Sequence, residues 1–262
     1  MRHSHLTVPV VLAAHGSPDP RSAPVVRDIA RSVGAHATFL DFDTPSTHDL
    51  LAALAAAGHD RAILVPLLLT DAYHRRVDIP RVVHRIRCDT GMECSVTATV
   101  GGERLVPSMV RALPASCDAV VLAAAGSRDG AAVAAVGRVA SAVSAVTGLP
   151  CRAAFAAAAE PTVDEAIAIL RAQGARSVAV ASYFIAPGAL HDRIRNRAAE
   201  AGCPVTPVLG ACAELVATVV ERYSSVSMPV TPSQSRDERT TNRNAVAMPR
   251  AQAPAPHVAR SA

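Results

Sequence analysis

Two histidines stand out as side chains that could do chemistry at a common point. His15 lies in His15-Gly16-Ser17-Pro18-Asp19-Pro20-Arg21, directly after an apolar run, and His74 lies in Tyr73-His74-Arg75-Arg76, shortly after the apolar run at 63–69. Imidazole titrates near neutral pH and binds divalent transition metals, so two facing one cleft could hold a metal ion and accept protons. Neither has a Cys or His partner at the spacing of a closed structural zinc site. Gly16 offers a tight turn and Ser17 a polar group beside a ligand. Asp41 and Asp43 end the next strand and read either as a carboxylate ligand or proton acceptor, or as a solvated strand end. Arg21, Arg75, Arg76 and Arg81 surround the same region. Their planar guanidinium forks suit a polyanionic substrate, with a solvated surface arginine as the alternative for each.

The elements that must position these residues follow an α/β pattern. Residues 8–13 read as a first strand, 23–33 as a helix, 37–42 as a second strand, and 46–57 as a helix capped by Ser46 and stopped by Gly58. The run at 63–69 is too continuous for an exposed edge and reads as a strand buried on both faces. A helix follows at 79–87, with Asp78 as its N-cap. A fourth strand at 95–100 and a helix at 103–113 complete the half. His15 and His74 thus emerge from the carboxyl ends of parallel strands, where open α/β sheets bind ligands.

The pattern then restarts. Val120-Val121-Leu122-Ala123-Ala124-Ala125-Gly126-Ser127 repeats Val10-Val11-Leu12-Ala13-Ala14-His15-Gly16-Ser17, residues 155–161 echo 39–45, and 178–185 echo the third strand. This is an internal duplication. Ala125 replaces His15 in the second copy, and Leu190-His191 falls near the place of His74. The fold expected is two similar α/β lobes, each a parallel β-sheet flanked by helices: residues 1–114 with the active site, and 115–223 as a degenerate repeat. Residues 224–262, rich in Ser, Pro, Thr, Asn and Arg without periodicity, read as a disordered tail.

Composition narrows the function. The chain has 262 residues, half of them hydrophobic, enough for a sizeable core. Aromatics make up 3 % and tryptophan is absent, which argues against stacking platforms for single-stranded nucleic acid. All basic residues are arginine, and a net charge of +4, partly from the tail, demands no nucleic acid. Six cysteines without C-x-x-C spacing, and no apolar export segment in MRHSHLTVPV, point to reduced thiols and a cytoplasmic protein. No window reads as a membrane helix. No G-x-x-x-x-G-K-[ST] loop is present, so no nucleotide or organic cofactor is expected.

Taken together, His15-Gly16-Ser17-Pro18-Asp19-Pro20-Arg21 and Val65-Pro66-Leu67-Leu68-Leu69 with His74 and Asp78-Ile79-Pro80 resemble the sirohydrochlorin chelatases, the cobalt- or ferrochelatase group of the class II chelatases. The resemblance covers about residues 8–223 and is weaker in the second half. It implies chelatase-like lobes with a cleft between them. It also implies insertion of Co2+ or Fe2+ into sirohydrochlorin, a polycarboxylate tetrapyrrole, in siroheme or cobalamin biosynthesis. His15 and His74 match the family's metal-binding histidines. Asp41 lies near a position where such proteins often carry Glu. Ala125 departs from the motif, which fits a long duplicated member with one active half. The second half would then wall the cleft, with His191 and Arg193 joining Ser17, Arg21, Arg75 and Arg76 in contacting substrate; for His191 itself, a third metal ligand and an exposed rim position are the open readings. A non-catalytic metal or tetrapyrrole carrier would use the same ligands. A histidine phosphatase needs Arg immediately before its His, where Ala14 stands here.

Overall fold

The computed structural model describes residues 8–71 and 77–226. His74, Arg75 and Arg76, and the tail beyond residue 226, lie outside the described residues. The first sheet contains β1 (Val10–Ala14), β2 (His36–Phe39), β3 (Arg61–Pro66) and β4 (Glu93–Val96), all parallel, in the order β2-β1-β3-β4. The second contains β5 (Ala119–Ala124), β6 (Cys151–Phe155) and β7 (Val178–Ser182) in the order β6-β5-β7, also parallel. The central strands of both sheets are buried on both faces, which is why their sequences are unbroken apolar runs.

Alternation along each strand splits the core into three. Val11, Ala13 and Leu64 face outward and pack against α2 (Thr47–Ala56) and α3 (Ile79–Thr90) through Leu51, Ile79 and Ile86. Val121, Ala123 and Val180 face outward in the second lobe, against Ile167 of α6 (Val163–Ala172) and Ile194 of α7 (Ala189–Glu200). Leu12, Val65, Val120 and Leu122 point the other way, into one shared inner layer. That layer is made by α1 (Ser22–Ser32), α4 (Val106–Arg111), α5 (Gly130–Thr147) and α8 (Ala213–Ser224), through residues such as Ile29, Met109, Val139 and Leu215. Full burial of each such side chain contributes on the order of 1.5–3 kcal/mol.

The two halves exchange their last helices. Helix α4 of the first half packs on α5 and β7, whereas α8 of the second half packs on β3. Polar contacts follow the same crossing. Arg111 of α4 grips Glu214 of α8 with two hydrogen bonds of 2.6 and 2.8 Å, Arg222 donates to the Thr99 carbonyl at 3.0 Å, and the Gly102 N–H donates to the Tyr183 hydroxyl at 2.8 Å.

Several elements differ in extent from the sequence reading. The third strand ends at Pro66 rather than Leu69, because residues 67–69 leave the ladder after the Leu67 N–H bonds the Ala13 carbonyl. The second strand ends at Phe39 rather than residue 42, because the chain turns back and the Phe39 N–H donates to the Pro45 carbonyl. The fourth strand lies at Glu93–Val96 instead of 95–100, and 103–113 begins as a single 3-10 turn, Glu103–Leu105, before α4. Ser46 caps α2 by accepting from the Asp49 N–H at 3.1 Å. Asp78 instead takes helical backbone angles, so it is part of the helical entry rather than its cap. Contrary to the sequence reading, α5 is long and apolar enough to cross a membrane by length and composition. Its Val136, Val139 and Val143 are buried in the inner layer.

One backbone contact is present twice. A Cβ placed on Gly16 (φ +90) would lie 1.8 Å from the Asp41 carbonyl oxygen, and one on Gly126 (φ +93) would lie 1.8 Å from that of Ala157. Backbone cannot yield cheaply, so Gly16→Ala and Gly126→Ala are each expected to destabilise by on the order of 2 kcal/mol or more. Urea unfolding of both variants checks this; a loss at only one site would show that the two loops are not mechanically equivalent.

Candidate functional site

The loop that carries His15 is clamped to the strand beside it. The Leu40 and Asp41 N–H groups donate to the Ala14 and His15 carbonyls, both at 2.9 Å. The Ser17 N–H donates to Asp43 Oδ2 at 3.1 Å, and Ser17 Oγ accepts from the Asp19 N–H at 3.1 Å. In the second half Ala156 and Ala157 donate to Ala124 and Ala125 at 2.9 and 3.1 Å, and Ser127 Oγ accepts from Asp129 at 3.0 Å. The scaffold is therefore conserved between halves while the imidazole is not.

His15 lines two of the cavities at the carboxyl ends of the strands. One, of about 400 Å³, lies between His15, Ser17 and Phe42 of the first lobe and Phe184, Gly188 and His191 of the second. The other, of about 270 Å³, lies between Leu67 and Leu69 of the first lobe and Ala125, Val136 and Phe155 of the second. In the first cavity the loop after β1 meets the loop after β7; in the second the loop after β5 meets the residues after β3. Each sits where the strand order reverses, the crevice that open α/β sheets use for ligands.

The expected site residues fall into distinct positions. His15 is half-buried, with its ring stacked on Phe42 at 5.9 Å between centroids and 16° between planes. Ser17 faces the opposite lobe, since a Cβ on Gly188 would come within 3.5 Å of its Oγ. Arg21 spans the lobes: its Nε donates to Asp19 at 2.9 Å, and its guanidinium also pairs with Asp192 at the start of α7. The hydrogen bond from Arg21 holds the Asp19 carboxyl down at about 2. Arg193 is exposed and donates to the Ala156 carbonyl at 3.1 Å, at the end of β6. Asp43 anchors the Ser17 turn, Asp41 is exposed, and Arg81 lies beside Asp78 at 4.0 Å.

The reading of His191 as an exposed rim residue is corrected. Its side chain is 8 % exposed, in the first turn of α7, edge-on to Phe184 at 5.4 Å. Neither ring nitrogen has a hydrogen-bond partner among the described residues. The signal for burial was in the sequence: His191, Ile194 and Ala198 are spaced to share one helical face, and all three are buried. Phe42 and Phe184 were not singled out from the sequence; an aromatic in the polar stretch Asp41-Phe42-Asp43 was the available clue.

Burial, more than the nearby Arg195 and Arg21, pushes the His191 pKa below its ordinary 6.5, against the opposing pull of Asp192. The imidazole is thus neutral at pH 7, the form that accepts a proton or ligates a metal. Folding disfavours its protonation, so stability is retained above the unfolded value and lost as pH falls below 6.5. Urea titrations between pH 5 and 7.5 should show that loss, and His191→Gln should flatten it. An unchanged slope in the variant would mean that another group carries the dependence.

Comparison with known proteins places this arrangement. The CbiX family model matches residues 9–114 and again 119–226. The sirohydrochlorin cobaltochelatase of Saccharolobus solfataricus is 34 % identical over 79 residues, which are 28 % of this chain and 62 % of that protein. The match therefore spans less than two thirds of that relative. SirB from Bacillus subtilis, solved with Fe3+, superposes with a TM-score of 0.72 at 18 % identity, covering 84 % of this chain and 95 % of that one. CbiX, described as the terminal enzyme for siroheme biosynthesis in denitrifying bacteria, superposes with a TM-score of 0.59 at 17 % identity, over 84 % of this chain and all of that one. At such identities the structural likeness is one of fold, two α/β lobes of chelatase type. The two successive matches of the family model cover both lobes, and the chain belongs to the CbiX family.

Proposed function

We propose that this chain is a chelatase that inserts Co2+ or Fe2+ into sirohydrochlorin, serving siroheme or cobalamin formation. The observation that carries the reading is the interlobe cleft, with His15 where its two cavities meet and the neutral, buried His191 in the opposite wall. Its sides are largely apolar, supplied by Leu67, Phe184, Ile185 and Val136, and suit the faces of a planar macrocycle. The incoming metal is a substrate, held on His15 and His74, for which cobalt and iron are both suitable. As it enters, the macrocycle must release two pyrrole N–H protons; His15, its lone pair freed once the metal is handed over, takes one, and the other leaves to solvent at the mouth of the cleft.

Charge at the mouth fits the same substrate. Arg21 is tied to Asp19 and Asp192 in an exposed ion pair, which a substrate carboxylate can replace with little loss. Arg75 and Arg76 are the further candidates for carboxylate contacts. Ser17 and His191 face the substrate from opposite lobes, and Arg193 secures the β6 end of the second wall.

Anaerobic metallation of sirohydrochlorin, followed by absorbance with each metal, tests the proposal. Catalytic turnover is expected, with His15→Ala and His74→Ala each losing about 100-fold or more, the scale of a missing proton acceptor. His191→Ala is expected to raise KM with a smaller change in kcat. Stoichiometric uptake without acceleration would make the protein a carrier. Equal loss in His191→Ala and His15→Ala would make the reacting site a joint product of both lobes.

A further inference from the structure

Phe42 is an anomaly on three independent counts. It is 69 % exposed, the most exposed large hydrophobic side chain among the described residues. Its backbone is left-handed, with φ +66, a region where bulky side chains are strained. Its ring nonetheless lies against His15 within the range of favourable aromatic pairs. An outlier of this kind at a cleft wall calls for a functional reason.

The second half supplies an internal control. Ala158 occupies the corresponding place with φ +60, so the left-handed turn is a property of the repeated fold and not of the phenylalanine. There the methyl of alanine suffices. His15 and Phe42 occur together in the first half, and Ala125 and Ala158 stand together in the second. Packing cannot account for the difference, because the Phe42 ring covers little besides its neighbour in the cleft.

Geometry assigns the ring a task. An imidazole offers a metal its nitrogen lone pair, which lies in the ring plane. A macrocycle accepts the metal along its own normal, so it must stand roughly perpendicular to the His15 ring. Phe42 is within 16° of parallel to that ring and meets such a macrocycle edge-to-face, a preferred aromatic arrangement. We propose that Phe42 is a positioning residue: it holds the His15 ring upright by stacking and sets its own edge against the macrocycle face. This rests on the chelatase reading and adds to it a determinant of how the substrate plane is oriented.

The test uses the full chain with Phe42→Gly, Phe42→Tyr and wild type in parallel, measuring thermal stability and metallation kinetics. Glycine relieves the left-handed strain, so the melting temperature should hold or rise by about 2–4 °C. Metallation kcat/KM should fall about tenfold, the scale of one lost aromatic contact. Phe42→Tyr should stay within about twofold of wild type, because the ring and its edge are kept. In a His15→Ala background, Phe42→Gly should cost less than it does in wild type, since only the edge contact with the macrocycle is then left to lose. Wild-type kinetics in Phe42→Gly would overturn the proposal, as would activity lost only in step with stability. If wild type itself fails to metallate sirohydrochlorin, the chelatase reading falls and takes this inference with it; if wild type turns over normally, only the role of Phe42 is at stake.

Discussion

The approach of Gly16 to the Asp41 carbonyl governs where the His15 side chain sits. With no Cβ at position 16, the loop after β1 lies flat on the chain leaving β2, and the His15 and Ala14 carbonyls are taken up by Asp41 and Leu40. His15 is thereby held at the sheet edge rather than carried away on a free loop. The cleft, the Ser17 turn and the stacking of Phe42 on His15 all depend on that register. The same contact at Gly126 and Ala157 holds a loop with no imidazole. The repeat keeps the mechanical part in both halves and carries the imidazole in one.

Much of this was legible in the chain because it is written in local signals. Buried parallel strands announce themselves as unbroken apolar runs, as in 10–14 and 119–124, and Ser46 and Gly58 bracket α2 with ordinary stop and start chemistry. The repeat was visible because Gly16 and Gly126 have no room for a side chain, and Ser17 and Ser127 each accept a hydrogen bond that closes the same turn. Strand ends were less legible: Leu67, Leu68 and Leu69 are as apolar as the strand before them, yet they line a cleft, and hydropathy does not tell a sheet interior from a pocket wall.

What the sequence concealed was everything set between lobes. The pairing of Arg21 with Asp192 and the facing of Ser17 on Gly188 join residues more than a hundred positions apart. No local period records such contacts. Phe42 was concealed for a different reason: its conformation is imposed by the repeated turn, so neither propensity nor pattern at that position shows that an aromatic there is costly.

The exchange of α4 and α8 also bears on how the chain acquires its shape. Domains ordinarily fold in order as they emerge during synthesis. Here Leu215 and Val219, which help cover the inner face of the first sheet, are among the last apolar residues of the described chain to be made. The lobe translated first thus leaves the ribosome with part of its core uncovered, and it closes only when the end of the second lobe arrives.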